Sequence, residues 1–158
     1  YVELLGGEIV DMSPIGSRHA ACVNRLNKIL SSRVGTRAIV SVQNPVRLGA
    51  DSEPQPDLAI LRPRADFYAK SHPDPQDVLL IVEVAETSAG FARDVKLPLY
   101  AKASIPEVWL LDLGEECIRA YSKPSPHGYG EIRQFWRGDV LAPQAFLDVE
   151  IALNDILG

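Results

Sequence analysis

The chain has 158 residues, of which 46% are hydrophobic and 23% charged, the balance of one globular domain with a sizeable core. No apolar stretch is long enough to span a bilayer, which excludes a helical membrane protein. The formal net charge of −5 argues against nucleic-acid binding driven by bulk charge, yet leaves room for a local basic groove. Cys22 and Cys117 form neither a framework nor a CxxC pair, so a reduced, cytoplasmic setting is expected. No signal-like segment, internal repeat or linker is visible, and residues 1–158 read as a single domain.

Residues 1–12 read as a hairpin, with Gly6 and Gly7 free to take the positive φ of a tight turn. A helix is expected from Gly16 or Ser17 to about Val34, stopped by Gly35. His19, Cys22, Val23, Leu26, Ile29 and Leu30 fall on one face of it, at spacings of three and four. Residues 37–42, 45–49 and 57–62 look like strands, with a polar loop over 51–56. Residues 62–77 form a long, proline-rich connection whose middle, Ala65 to Lys70, suits a short helix. A strand at 78–85, a loop at 86–93, a helix to about Ala103 and a strand at 107–113 follow. Strands at 117–122 and 129–136 flank a turn, and the tail suits short strands and a last helical turn. This order makes an α/β or α+β fold, a mixed sheet with helices.

One charge stands out. Glu83 lies inside the apolar run Val78–Ala85, which reads as a central strand buried on both faces. Even a neutral polar group without a partner costs about 2–7 kcal/mol there, so Glu83 needs a cation or a strong donor. Asp57 opens another apolar run after Pro56, and Lys96 follows in a helical stretch. Two carboxylates on neighbouring strands plus a lysine are the parts of a metal-dependent phosphodiesterase.

The ordered set Pro56-Asp57, Glu83-Val84-Ala85 and Lys96 resembles the PD-(D/E)XK nuclease superfamily. Within it, the stretch Glu3–Pro14, His19, Glu83-Val84, KLPLYA at 96–101 and IPEVWLLD at 105–112 resemble the Uma family of restriction-endonuclease-like proteins, across nearly the whole chain. Two departures stand out. Ala85 occupies the place where the commonest pattern has its lysine, and Lys96 on the next helix is the match. Glu86 stands where a small residue is usual, adding negative charge near the site.

The resemblance implies a restriction-endonuclease-like fold and hydrolysis of phosphodiester bonds in nucleic acid, with DNA the expected substrate. Asp57, Glu83 and the backbone carbonyl of Val84 would bind Mg²⁺ or Mn²⁺, whose hard-oxygen preference they match. Lys96 would orient the attacking water or stabilise developing charge. Tyr100, four residues on, shares its helix face. Glu8 and His19 would support the cluster, and Arg18, Arg25 and Lys28 would touch phosphates. Cutting both strands of a duplex implies, by analogy, a homodimer.

Each residue also has a plainer reading. Asp57 could cap a turn, Glu83 could sit in a structural ion pair, and Lys96 could be a solvated lysine. His19 could be a core histidine, Glu8 a solvent-facing strand residue, and the three basic residues a solvated helix face. Trp109 and Trp136 are expected in the core or an interface. The rivals to an active nuclease are an idle nuclease fold that binds nucleic acid or protein, and a structural homodimer whose acidic cluster is an ion-pair network.

Overall fold

The computed structural model describes residues 1–87 and 89–158. Strands β1 (Val2–Leu5) and β2 (Glu8–Asp11) form the expected hairpin, with φ of 59° at Gly6 and 83° at Gly7. The hairpin is sewn to the 51–56 loop. Gly7 N–H donates to the Asp51 carbonyl, Gly6 N–H to Ser52 Oγ, and Glu53 N–H to the Leu4 carbonyl. Helix α1 (Ser17–Val34) ends at Gly35, whose φ of 56° favours glycine. Its buried face holds His19, Cys22, Val23, Leu26, Leu30 and Val34.

Six strands form one mixed sheet in the order β3 (Ile39–Val42), β4 (Leu58–Leu61), β5 (Val78–Ala85), β6 (Glu107–Asp112), β7 (Cys117–Ser125), β8 (Gly128–Trp136). The β5–β6 pair is parallel and the others are antiparallel. A parallel pair needs a crossover, and here it is helical: α2 (Ala89–Phe91), a π-turn (Ala92–Lys96) and α3 (Leu97–Lys102). A two-stranded ribbon of β9 (Val140–Leu141) and β10 (Ile151–Ala152), then α4 (Leu153–Leu157), completes the α+β architecture.

Both sheet faces carry a core, because β4 and β5 alternate apolar side chains on either side. Leu58, Ile60, Leu80, Val82, Trp109 and Leu111 meet α1 and α4. Ala59, Ile81, Val108 and Leu110 meet Leu97, Tyr100 and Ile105. Each fully buried large aliphatic side chain contributes about 1.5–3 kcal/mol, so β5 is the best-anchored strand to carry a polar group.

Three local expectations need correction. Residues 45–49 are irregular, although Val46 is buried and its N–H donates to the Pro54 carbonyl. Residues 65–70 form turns rather than a helix. Phe67 and Tyr68 have φ of 52° and 61°, and the Asp66 carboxylate accepts from the N–H groups of Tyr68 and Lys70. The crossover is helical from Ala89, earlier than the loop expected to Arg93, and contains the π-turn, where Leu97 N–H reaches back to the Ala92 carbonyl. Pro98 explains the wide turn: a regular α-turn would drive its ring against the Asp94 carbonyl. Trp109 is fully buried, whereas Trp136, on edge strand β8, is 46% exposed.

Candidate active site

The β4–β5 register pairs Leu58 with Val82. Asp57, one residue before Leu58, and Glu83, one after Val82, therefore fall opposite each other at the strand end. Asp57 is 6% exposed, and its Oδ2 accepts the Val84 N–H at 2.8 Å. His19, in the first turn of α1, is buried and places Nε2 3.3 Å from the same oxygen. This hydrogen bond raises the His19 pKa against the lowering effect of burial, with the Asp57 charge and the Val84 carbonyl adding to the rise.

Lys96 comes from the opposite side of the cleft and is 3% exposed. Its Nζ lies 2.7 Å from Glu83 Oε1 and 2.9 Å from Glu3 Oε1. Tyr100, one helical turn further on, donates its hydroxyl to Glu83 Oε1 at 2.6 Å. Burial alone would lower the Lys96 pKa, but Glu83 and Glu3 outweigh it and hold the ammonium charged. Burial pushes Glu83 up to about 7; Lys96 opposes the rise and the Asp57 charge adds to it. Burial, together with Glu83, raises Tyr100 well above the usual phenol value.

Glu3 is the residue the sequence reading missed. It is 1% exposed, accepts the Gln55 N–H at 2.5 Å, and leaves Oε2 buried with no partner among the described residues. Strand alternation offered a signal: Glu3 and Leu5 share a face of β1, and Leu5 is core. Glu8, expected to face the cluster, is exposed. It pairs with Leu5 beside the turn, about 7 Å along the strand from the position that reaches Lys96.

The basic residues of α1 lie off this cleft. Arg25 donates to the Ile156 and Leu157 carbonyls, so it holds the C-terminal helix rather than standing free for phosphate. Arg18 pairs with Glu116 at 3.3 Å. Lys28 borders a separate hollow with Glu150 and Asp155. Glu86 does line the cleft, with Oε2 beside Gly16 at the start of α1.

Asp57, Glu83, Lys96 and His19 open into a cavity of about 320 Å³, bounded by the β2 end, the 12–16 segment and Phe91. Its donor chemistry suits a hard cation. Asp57 Oδ1 and Glu83 Oε2 accept no hydrogen bond from the described residues. No cluster of three His, Cys, Asp or Glu side chains forms a ready metal cage among the described residues. Two carboxylates and a backbone carbonyl, with water completing the shell, fit Mg²⁺ or Mn²⁺ rather than an ion that needs an all-protein cage.

A solved structure described as "a putative nuclease belonging to DUF820", from Anabaena variabilis ATCC 29413, superposes with a TM-score of 0.77. It is 15% identical and covers 99% of this chain and 89% of that one. The likeness shows that the fold is of the restriction-endonuclease type. No helix among the described residues is long and apolar enough to cross a membrane. No curated protein matches the sequence. Residues 1–154 match the Uma2 family, described as "Putative restriction endonuclease". The match takes in the hairpin, both carboxylate strands and the lysine helix, and the chain belongs to the Uma2 family.

Proposed function

We propose that the chain is a metal-dependent nuclease of the PD-(D/E)XK type, hydrolysing phosphodiester bonds in nucleic acid. The observation that carries this reading is the meeting of Asp57, Glu83 and Lys96 at one open cavity, from three separate elements. Asp57, Glu83 and the Val84 carbonyl would hold Mg²⁺ or Mn²⁺. When bound, the ion would polarise the phosphate and lower the pKa of a water ligand.

The chain's own residues set the rest. The Val84 N–H and His19 fix the Asp57 carboxylate, leaving its second oxygen for the ion. Tyr100 and Lys96 both hold Glu83 Oε1, which leaves Oε2 for the ion. Lys96 has three N–H donors, and two are engaged by Glu3 and Glu83. The third is available to a water or a phosphoryl oxygen. Lys96 therefore both orients Glu83 and relieves charge on the reacting phosphate.

The test pairs cleavage with melting. Labelled oligonucleotides should be cut in Mg²⁺ or Mn²⁺ and spared in excess chelator, and Mn²⁺ should raise the melting temperature of the parent but not of Asp57→Asn. A parent protein with neither cleavage nor a metal-induced shift would overturn the reading. One observation favours the rival of an idle, binding-only fold: Glu86 adds a carboxylate to the cavity wall. That rival gains if Glu86→Ala is needed before any metal-induced shift is seen.

A further inference from the structure

The lining of the cavity is mixed. Asp57 and Glu83 make part of it acidic, and Tyr1, Ile15 and Phe91 add large apolar side chains beside the exposed carboxylates of Asp11 and Glu86. Tyr1 is 58% exposed and Ile15 is 42% exposed, so the mouth presents large apolar side chains to solvent. Burial and nearby carboxylates push the Tyr1 phenol up to about 12, so the ring carries no charge at neutral pH.

Cations are scarce around this opening. Among the described residues, no arginine lines it and Lys96 is its one lysine, with two of its donors engaged by carboxylates. The arginines near this end of the sheet are also paired: Arg18 and Arg137 with Glu116, Arg93 with Asp94, and Arg119 with Glu115. Duplex binding depends on neutralising many phosphates with Lys and Arg. Single-strand recognition can instead stack unpaired bases on aromatic side chains, which reach any base through its π face. Size points the same way. A cavity of about 320 Å³ is at the small end of ligand sites, the size of one nucleotide unit.

We propose that the cavity takes one unpaired nucleotide, with its base against the aromatic lining residues Tyr1 or Phe91 and its phosphate toward Asp57 and Glu83, so that single-stranded or frayed nucleic acid is the substrate in preference to intact duplex. This rests on the nuclease reading and names the substrate class of that site. A frayed end or extruded base would supply the same unpaired unit from within a duplex.

The experiment measures binding separately from cleavage. A fluorescein-labelled 12-mer, as a single strand and as a blunt duplex of the same sequence, is titrated with protein in chelator and in Ca²⁺, read by anisotropy. The single strand should bind at least tenfold more tightly. Its log affinity should fall with log salt at a slope near −0.7 to −1.4, roughly one or two phosphates. Phe91→Ala should weaken single-strand binding roughly tenfold, and Phe91→Trp should retain it. If Phe91→Ala does not fold, Tyr1→Ala, at an exposed site, should show the same loss. Equal or tighter duplex binding, no binding of either probe, or Phe91 and Tyr1 variants that bind like the parent would each overturn the proposal. The same probes with Mn²⁺ separate the two readings. Single-strand preference with neither cleavage nor a Mn²⁺-induced melting shift sinks the nuclease and keeps the pocket; cleavage without strand preference does the reverse.

Discussion

Among the described residues, two glutamates are buried in the central strands, and one of them, Glu83, lines the cavity beside Asp57. Glu83 lies near the end of β5, on the α3 side of the sheet. Glu107 opens β6, shares the other face with Trp109, and is 1% exposed. Glu107 Oε1 accepts the Gln144 N–H at 2.9 Å and so pins the tail segment to the sheet. Burial raises its pKa, and no salt bridge reaches it among the described residues. Glu83 has a lysine, a phenol, a second carboxylate opposite and an opening to solvent. Burial of a carboxylate is therefore not the mark of a site. The mark is burial together with a fixed cation, a neighbouring acceptor and an aperture.

The sharpest way to break this contrast is to remove the cation. Lys96→Met leaves Glu3 and Glu83 as two buried carboxyl groups without a partner ammonium, and should cost about 3–5 kcal/mol. For a chain of this size that lowers the melting temperature by roughly 6–20 °C in the metal-free protein. Adding Glu3→Gln to Lys96→Met should recover part of the loss, because one of the stranded groups is then neutral. An unchanged melting temperature in Lys96→Met would mean that the Glu83 cluster is no more demanding than the Glu107 bracket. Next in size is turnover. Glu83→Gln should lower cleavage of a labelled single strand by about 10²–10³-fold, and Glu107→Gln should leave it at the parent rate. Equal losses in the two variants would point to a fold defect shared by both.

The sequence distinguished these glutamates only through their company. Both sit in apolar runs, and hydrophobic patterning alone treats them alike. Asp57, Lys96 and Tyr100 made the difference, because helix spacing puts the last two on one face and strand order makes the first a neighbour. His19 was legible for the same reason, as a polar residue inside an apolar stripe. Glu3 was not, because a hairpin glutamate is ordinarily solvated and its partner Lys96 lies 93 positions away. The turns at 65–70 escaped because the left-handed residues there, Phe67 and Tyr68, are not types that announce positive φ. The π-turn arises from Pro98, which the sequence shows, but its position depends on where the helix begins. Arg25 looked available until the C-terminal carbonyls were found beside it.

Acidity offers a finer separation. Glu83 is raised from its ordinary value near 4.5 to about 7, so its contribution to metal-free stability is complete below about 4.5 and lost as pH rises through about 7. His19 is raised too, and its contribution likewise fades as pH climbs past its folded-state value. Metal binding runs the other way, since the ion needs the carboxylate. The Mn²⁺-induced rise in melting temperature should therefore grow between pH 6 and 8. At roughly 100-fold excess over Kd it corresponds to about 2.7 kcal/mol. Glu83→Gln should abolish that growth. A metal-induced shift that is flat across this range would mean that Glu83 does not ionise with metal binding.

The smallest expected effect is at Glu107, and it completes the comparison. Glu107→Gln keeps a side-chain oxygen for the Gln144 N–H and removes a group that burial already disfavours as an anion. Its stability cost should stay under about 1 kcal/mol at neutral pH, because a neutral acceptor serves that bond nearly as well. Glu107→Ala leaves the amide unpaired and should cost about 1–3 kcal/mol. Burial raises Glu107 just as it raises Glu83, so Glu107→Gln should also flatten part of the metal-free decline with rising pH while the Mn²⁺-induced shift stays as in the parent. Thermal melting of the three proteins at two pH values, with and without Mn²⁺, reads all of this at once. A Glu107→Gln protein that loses its metal response would tie the two glutamates into one network across the sheet, and the division between a bracket and a reactive cluster would fall.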